Sequence, residues 1–291
     1  MKKILAVLLA VFMVFAVCAC TDNTGENNNG EVVDNDVQNT PDDSQNTPDD
    51  SQDTPDDTQN GETPDDTADD DKIVMATNAY FQPYEYYEGD KIVGIDAEIA
   101  AAIAEKLGKT LEISDMQFDS ILTAVQEGAV DFGMAGMTVN EERLESVDFT
   151  ISYANGVQAI IVKEGSPIET VDDLYEEGVS YNVGVQLGTT GDTYSTDDFG
   201  DERVNRYSNG NEAVLALLGD SIDCVIIDNE PAKALVAANE GLKILETAYA
   251  DEDYAICVAK GNTELLDQLN AAIVELTADG TIDSIINKYI Q

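Results

Sequence analysis

The chain has 291 residues and carries 59 acidic residues against 14 basic ones, a net charge of −45. So negative a surface repels phosphate backbones, which argues against nucleic-acid binding. Histidine is absent, which excludes histidine-dependent catalytic triads and His-ligated metal sites. The four cysteines have no metal-ligand spacing, so we expect no metal and no cofactor.

The N-terminus has the pattern of a secretion signal. Lys2 and Lys3 precede an unbroken apolar run over residues 4–19. This run is shorter than the roughly 20 residues of a membrane span and suits the apolar core of a signal peptide. We therefore predict a signal peptide over residues 1–19 and an extracytoplasmic location.

Cys20 ends the apolar run and is the predicted lipidation site. The small residue Ala19 precedes it, a pattern that resembles the bacterial lipobox, in which the lipid-modified cysteine becomes the mature N-terminus. Cys18 fits less well because Val17 would precede the cut. We expect a lipoprotein anchored to the cell membrane; an ordinary cleaved signal is the alternative.

An acidic linker follows over residues 20–71, with 18 acids and no base in residues 21–71. The string Thr-Pro-Asp-Asp occurs at residues 40–43, 47–50, 54–57 and 63–66. Low hydrophobicity, recurrent proline and self-repelling charge predict a disordered, extended segment, and fifty such residues would reach roughly 40 Å or more. This spacer would lift a folded domain off the membrane; weak calcium binding by the Asp pairs is the alternative.

From Lys72 onward strands alternate with helices. The predicted elements are a strand over 73–76, a helix over 95–107 ended by Gly108, a strand around 111–113, a helix around 121–125 ended by Gly128, and a strand over 130–135. This alternation predicts α/β layers with mostly parallel sheets.

The second half of the chain repeats this alternation of strands and helices. It contains a strand over 181–185, a Gly-Thr-Thr-Gly turn leading into a helix, a helix over 212–218, a strand over 223–227 and a helix with Pro231 in its first turn. Two α/β halves without a long connection predict two lobes with a cleft, where ligands meet strand ends and helix N-termini.

The chain contains a collinear series of short motifs. They are Phe-Gln-Pro-Tyr-Glu at 81–85, Gly-Ile-Asp-Ala-Glu-Ile-Ala at 94–100, the segment 130–138 followed by Glu142-Arg143, Val-Asp-Phe-Thr at 147–150, Val-Gly-Val-Gln-Leu-Gly-Thr-Thr at 183–190, and Asp223 to Asp228. In this order they resemble family 3 extracellular solute-binding proteins, the polar amino-acid receptors of ABC importers. The resemblance implies the two-lobed, type 2 periplasmic-binding-protein fold, with mixed, mostly parallel sheets and two hinge strands.

The resemblance also implies how the chain divides. Hinge strands are expected near residues 154–160 and 250–258. Lobe 1 would comprise residues 72–156 and 256–291, and lobe 2 residues 157–255.

Arg143 is the expected clamp for the ligand carboxylate. A free amino acid presents a carboxylate and an ammonium separated by one carbon, and a guanidinium matches the carboxylate with two parallel hydrogen bonds. From the local sequence alone, a surface arginine paired with Glu141 or Glu145 is the alternative; the family resemblance favours the clamp.

Two turns are expected to add ligand contacts. Thr138 would supply a hydroxyl and Gly136 a main-chain group from one loop. Thr189 and Thr190, at a strand-to-helix turn, would hold the carboxylate with hydroxyls, N–H groups and the positive helix end. A turn with an N-cap explains the two threonines equally well from their sequence alone.

Asp228 follows the apolar run of residues 225–227 and so lies at a strand end. There it would accept hydrogen bonds from the ligand ammonium. Its structural alternative is the N-cap of the helix that contains Pro231.

Three further residues take their roles from the resemblance. Phe81 and Phe118 occupy positions whose rings sandwich the ligand side chain, although most phenylalanines are core residues. Asn78 lies where several relatives place an acid that meets a cationic ligand end. A neutral amide here favours a neutral, polar amino acid as the ligand.

Together these features predict the substrate-binding component of an amino-acid ABC importer, and not an enzyme. We expect a monomer that binds a free L-amino acid, reaches the membrane through its lipid anchor and delivers its ligand to permease and ATPase subunits. The alternatives are an extracytoplasmic enzyme on the same fold, similar to cyclohexadienyl dehydratase, or a sensor domain. For Cys224 and Cys257, a disulfide and two buried thiols both remain open.

Overall fold

The computed structural model describes residues 71–290. The predicted signal peptide, the lipidation site Cys20 and residues 20–70 of the predicted linker lie outside the described residues. Within residues 71–290, no helix combines the length and hydrophobicity that crossing a membrane requires.

Strands and helices alternate along the described chain. The helices are α1 (Ile95–Lys106), α2 (Phe118–Gln126), α3 (Glu141–Ser146), α4 (Thr190–Phe199), α5 (Gly210–Leu218), α6 (Asn229–Ala238), α7 (Thr263–Ala278) and α8 (Thr281–Tyr289). The strands are β1 (Lys72–Thr77), β2 (Tyr80–Phe81), β3 (Glu85–Glu88), β4 (Lys91–Val93), β5 (Thr110–Asp115), β6 (Phe132–Gly133), β7 (Val147–Phe149), β8 (Ala154–Lys163), β9 (Val183–Gln186), β10 (Val204–Tyr207), β11 (Cys224–Asp228), β12 (Leu242–Ile244), β13 (Ala250–Tyr254) and β14 (Cys257–Ala259). Two short 3₁₀ helices cover Val171–Tyr175 and Asp201–Arg203.

The first lobe is built on a five-stranded sheet in the order β5-β1-β6-β14-β7. Strand β1 is parallel to both β5 and β6, whereas β14 is antiparallel to β6 and β7. Helix α1 covers the sheet because Ile95, Ile99 and Ile103 recur on one face and are fully buried. Gly108, with φ of +68°, follows this helix in the left-handed conformation that commonly ends one.

The second lobe is built on a six-stranded sheet in the order β10-β9-β11-β8-β12, with β13 also paired to β8. Strands β9, β10 and β11 are parallel, and β8 is antiparallel to β11, β12 and β13. The core of this lobe includes Ile160, Val183, Val185 and Ile226.

The chain passes between the lobes on two adjacent antiparallel strands. Strand β8 begins directly after the first-lobe strand β7, and β13 leads back to β14 of the first sheet. These strands pair from Ala154 opposite Tyr254 to Gln158 opposite Ala250. The predicted two-lobed α/β fold with mixed sheets and two hinge strands is confirmed, while the exact lobe boundaries stay a prediction.

One predicted strand is much shorter than expected. The sequence predicts a strand over residues 130–135, yet only Phe132 and Gly133 pair in the sheet. The Asp131 carboxylate accepts a hydrogen bond of 2.6 Å from the main-chain N–H of Val74, and Gly136 turns the chain at φ of +53°. The apolar run therefore bends into a loop.

The two cysteines left open by the sequence are both free, buried thiols. Cys224 lies in β11 of the second sheet and Cys257 in β14 of the first. Burial raises the pKa of each thiol to about 12, so neither is a reactive thiolate near neutral pH.

Candidate ligand-binding site

A pocket lies between the two lobes. All nine residues predicted for the site line it: Asn78, Phe81, Phe118, Gly136, Thr138, Arg143, Thr189, Thr190 and Asp228. Three further residues line the pocket that were not predicted as site residues: Glu85, Ala135 and Gln186. Segments far apart in the chain thus meet at the expected place.

Arg143 is buried in this pocket, with only 6% of its surface exposed. It lies in α3, whose start is capped by Asn140; the Asn140 side chain accepts a bond of 2.8 Å from the Arg143 main-chain N–H. The guanidinium donates to the carbonyls of Thr138 at 2.7 Å and Gly188 at 3.1 Å. It also lies 5.4 Å from the centre of the Phe118 ring.

No acid of residues 71–290 forms a salt bridge with Arg143, so the alternative of a surface arginine paired with Glu141 or Glu145 is not found. Burial lowers the pKa of the guanidinium, and nearby Glu252 is the largest opposing influence. A buried cation satisfied only by neutral carbonyls and a ring retains capacity for an anion.

Asp228 stands at the end of β11 and is 8% exposed. It occupies the N-cap position of α6, yet its side chain makes no capping hydrogen bond. Instead the carboxylate accepts a bond of 2.7 Å from the amide of Gln158 and another from the hydroxyl of Tyr254. Burial, followed by the charge of Glu252, raises the Asp228 pKa to about 8.

The loop between β6 and α3 forms one wall of the pocket. Gly136 donates its N–H to Asp96 at 2.8 Å, so the main-chain group that it can offer a ligand is its carbonyl. A Cβ atom at this position would lie 2.6 Å from the Phe81 ring. Thr138 is 5% exposed, and its carbonyl holds Arg143.

The two threonines form the start of α4. Thr189 is the N-cap: its hydroxyl accepts from the Asp192 N–H at 3.3 Å and donates to the Gln186 carbonyl at 2.8 Å. Thr190 opens the helix and is 3% exposed. The capping role left open by the sequence is therefore real, and the positive end of α4 also borders the pocket.

Aromatic rings and an amide complete the predicted set. Phe81 is nearly buried and stacks on Tyr84 at a ring distance of 5.7 Å. Asn78 donates to the Met116 carbonyl at 2.7 Å and accepts from the Gln186 amide at 2.9 Å. The Asn78–Gln186 bond links the first lobe to the second.

Glu85 is the residue whose importance sequence reasoning missed. It is fully buried, and neither of its carboxyl oxygens accepts a hydrogen bond from a donor in the described part of the chain. The protonated Glu85 side chain instead hydrogen-bonds to the Asp96 carboxylate. Burial, then the charge of Asp96, raises its pKa well above the usual range. The available signal was hairpin register: Glu85 pairs with Phe81, and directly opposed residues share one face of a sheet.

A charged pocket between two hinged α/β lobes is the architecture of a solute-binding protein. The profile of the bacterial extracellular solute-binding proteins, family 3, matches residues 73–291, and the chain belongs to this family. Family members are solute-binding components of transporters and act outside the cytoplasm.

The relatives of this chain include amino-acid receptors of ABC transporters. The arginine-binding extracellular protein ArtP of Bacillus subtilis is 33% identical over 225 residues, covering 75% of this chain and 86% of ArtP. A solved ancestral arginine-binding protein bound to glutamine has 38% identity and a TM-score of 0.71, covering 76% of this chain and 98% of its own. The structure of an ancestral arginine-binding protein bound to arginine has 38% identity and a TM-score of 0.70, with coverages of 76% and 99%.

Proposed function

We propose that this chain is the substrate-binding component of an amino-acid ABC importer. The observation that carries the proposal is the pair Arg143 and Asp228, opposite charges that line one pocket from opposite lobes. Arg143 would bind the ligand carboxylate and Asp228 its ammonium. Both side chains are nearly buried, so exclusion of water strengthens each contact.

Closure of the two lobes would trap the ligand. Hydrogen bonds from Arg143 to Gly188 and from Gln186 to Asn78 span the cleft. A ligand that contacts Arg143 and Thr138 on one side and Asp228 on the other makes both sets of contacts only in the closed form. Ligand binding therefore shifts the population toward closure, which the importer recognises.

The ligand side chain that we propose ends in N–H donors. The expectation of a neutral ligand considered Asn78 alone; Glu85 supplies a buried carboxyl group to the same pocket. The two oxygens of Glu85 accept from no donor in the described chain and suit a guanidinium. Binding of a guanidinium would displace the proton of Glu85, and the resulting carboxylate would pair with the positive charge. L-arginine is thus the first candidate and L-glutamine, a neutral donor, the second.

In the cell, we propose a monomeric receptor that does no covalent chemistry. Arg143 and Asp228 match the carboxylate and ammonium of an intact zwitterion, so binding alone accounts for both groups. Lipid-modified Cys20 anchors it to the membrane, where permease and ATPase subunits receive the ligand. A dehydratase-like enzyme would need an acid or base acting on a bond of the ligand.

A thermal-shift screen of the purified full chain tests the function. The ligands are the common L-amino acids, cystine, a prephenate-like acid and a glycan fragment. We expect arginine or glutamine to raise the Tm, because a ligand that binds only the native state stabilises it. A shift with the prephenate-like acid or the glycan fragment, and none with any amino acid, would instead support an enzyme.

A further inference from the structure

A second carboxyl group lies directly behind the site of the ligand ammonium. The amide nitrogen of Gln158 donates to Asp228 at 2.7 Å and to Glu252 at 2.9 Å. All three side chains are buried, with Gln158 1% and Glu252 6% exposed. Gln158 lies in β8 and Glu252 in β13, so both hinge strands contribute to this cluster.

The cluster has more acceptors than donors. The two carboxylates offer about four lone-pair sites each, whereas the donors around them are the Gln158 amide, the hydroxyls of Tyr254 and Tyr194, and the main-chain N–H of Asp228. One oxygen of Glu252, Oε1, is buried without a partner among residues 71–290. One more donor, a proton or a ligand N–H, would reduce this deficit and separate the two negative charges.

Other charged and titratable groups face the pair from every side. Arg143 is the cation among them, and its pKa is influenced more by Glu252 than by any other charge. The remaining groups are Tyr84, Glu85, Tyr194, Glu230 and Tyr254, all acids or phenols. The surroundings therefore favour neutralising one of the two carboxylates, in agreement with the raised pKa of Asp228.

We propose that Asp228 and Glu252 share one proton in the ligand-free protein and that the ammonium of the captured amino acid replaces it. The inference rests on the proposed function. The proton leaves to solvent, and no other bond is made or broken. The subsite carries one net negative charge before capture, from two carboxyl groups and one proton, and one afterwards, from two carboxylates and one ammonium. Glu252 is thus a positioning residue that acts through Asp228.

Calorimetry counts the released protons. The full chain is titrated with L-arginine near pH 7 in buffers of different ionisation enthalpy. We expect Glu252→Gln to release about one proton fewer than the unmodified protein when it binds the ligand. Release of one proton makes the affinity rise about tenfold per pH unit. The affinity of Glu252→Gln should therefore change less between pH 6 and pH 7 than that of the unmodified protein. Asp251→Asn is the matched control, since it removes an exposed charge from the same strand.

Glu85 can also release a proton when a guanidinium arrives, so the Glu85→Gln protein is titrated with L-glutamine. It should still release about one proton, from the remaining pair. Equal proton counts for Glu252→Gln and the unmodified protein would overturn the inference, as would no release from Glu85→Gln. Binding without this release refutes the shared proton alone, whereas no binding of any amino acid refutes the proposed function as well.

Discussion

Arg143 and Gly188 are joined across the cleft by a hydrogen bond of 3.1 Å from the guanidinium to the main-chain carbonyl. Arg143 lies in α3 of the first lobe, and Gly188 in the turn that leads into α4 of the second. The same guanidinium is the proposed ligand clamp. The side chain proposed to bind the ligand carboxylate therefore also makes one of the hydrogen bonds that span the cleft.

Truncation of this clamp should weaken ligand binding strongly. We expect Arg143→Ala to weaken binding of the preferred amino acid by about 2–5 kcal/mol, because a desolvated carboxylate loses its charged partner. Titration calorimetry of the full chain measures the loss. Lys106→Ala, which removes a cation paired with Glu275 on the surface, should leave affinity unchanged; an unaltered affinity in Arg143→Ala would refute the clamp.

Glu85→Gln separates the two candidate ligands. Arginine should lose at least tenfold in affinity, because the amide cannot pair with a guanidinium as a carboxylate does, whereas glutamine binding should change little. Calorimetry with both amino acids measures these effects. Equal losses for both ligands would contradict the assignment of Glu85 to the ligand side chain.

The sequence was sufficient for the fold, and the nine residues predicted for the site line one pocket. Periodic isoleucines located α1, and the collinear motifs brought Arg143 and Asp228 to one cleft. The alternatives at Thr189 and Asp228 could not be separated, because a residue before a helix can cap it or bind a ligand. Only geometry shows that the Thr189 hydroxyl caps α4 while the Asp228 carboxylate turns toward Gln158.

Glu85 and Glu252 were not predicted as site residues from the sequence. Both are acids in short strands, where charged residues are usually solvent-exposed. Their burial depends on hairpin register for Glu85 and on the pairing of two hinge strands for Glu252. The hinge strands are far apart in the chain, so local composition does not encode which face of β13 is covered. The Phe81–Glu85 hairpin is local, and its register was the signal available for Glu85.

Gly136 should be intolerant of any side chain. Its φ of +53° strains other residues, and a Cβ atom would lie 2.6 Å from the Phe81 ring. We expect Gly136→Ala to lose about 1–3 kcal/mol of stability and to bind ligand more weakly as Phe81 is displaced.

Gly165→Ala is the matched control for this change. Gly165 has φ of +79° and open space where its Cβ would stand, so the substitution imposes backbone strain without a clash. Urea unfolding and calorimetry compare the two variants. Equal effects on ligand affinity would show that contact with Phe81 is not the reason for Gly136.

Lipidation should depend on Cys20 and not on Cys18. Expression in a bacterial host with a labelled fatty acid should give a labelled, membrane-bound protein. Cys20→Ser should lose the label and leave the membrane fraction, because the thiol that carries the lipid is gone. Cys18→Ser is the control and should keep both properties; loss of label in that variant alone would move the anchor to Cys18.

The ligand-free protein should be more stable in mild acid than above neutral pH. Burial raises the pKa of Asp96 to about 6 and that of Asp228 to about 8, and it raises that of Glu85 well above the usual range. A folded state that holds protons more tightly than the unfolded chain loses stability as pH rises through this interval, by up to about 1.4 kcal/mol per pH unit for each group. Acids whose pKa is lowered, such as Asp148 beside Lys260, act in the opposite direction and only at lower pH.

Urea unfolding without ligand at pH 5, 6, 7 and 8 measures this dependence. The free energy of unfolding should fall across the series, and the fall should be smaller in Asp228→Asn, which lacks one of the responsible groups. Repulsion among the surface acids changes little in this interval, since exposed carboxylates are ionised throughout it; the exposed Asp251→Asn should therefore retain the full slope. A stability that rises from pH 5 to pH 8 would mean that the buried acids are ionised in the ligand-free protein, and the basis for a shared proton would then be lost.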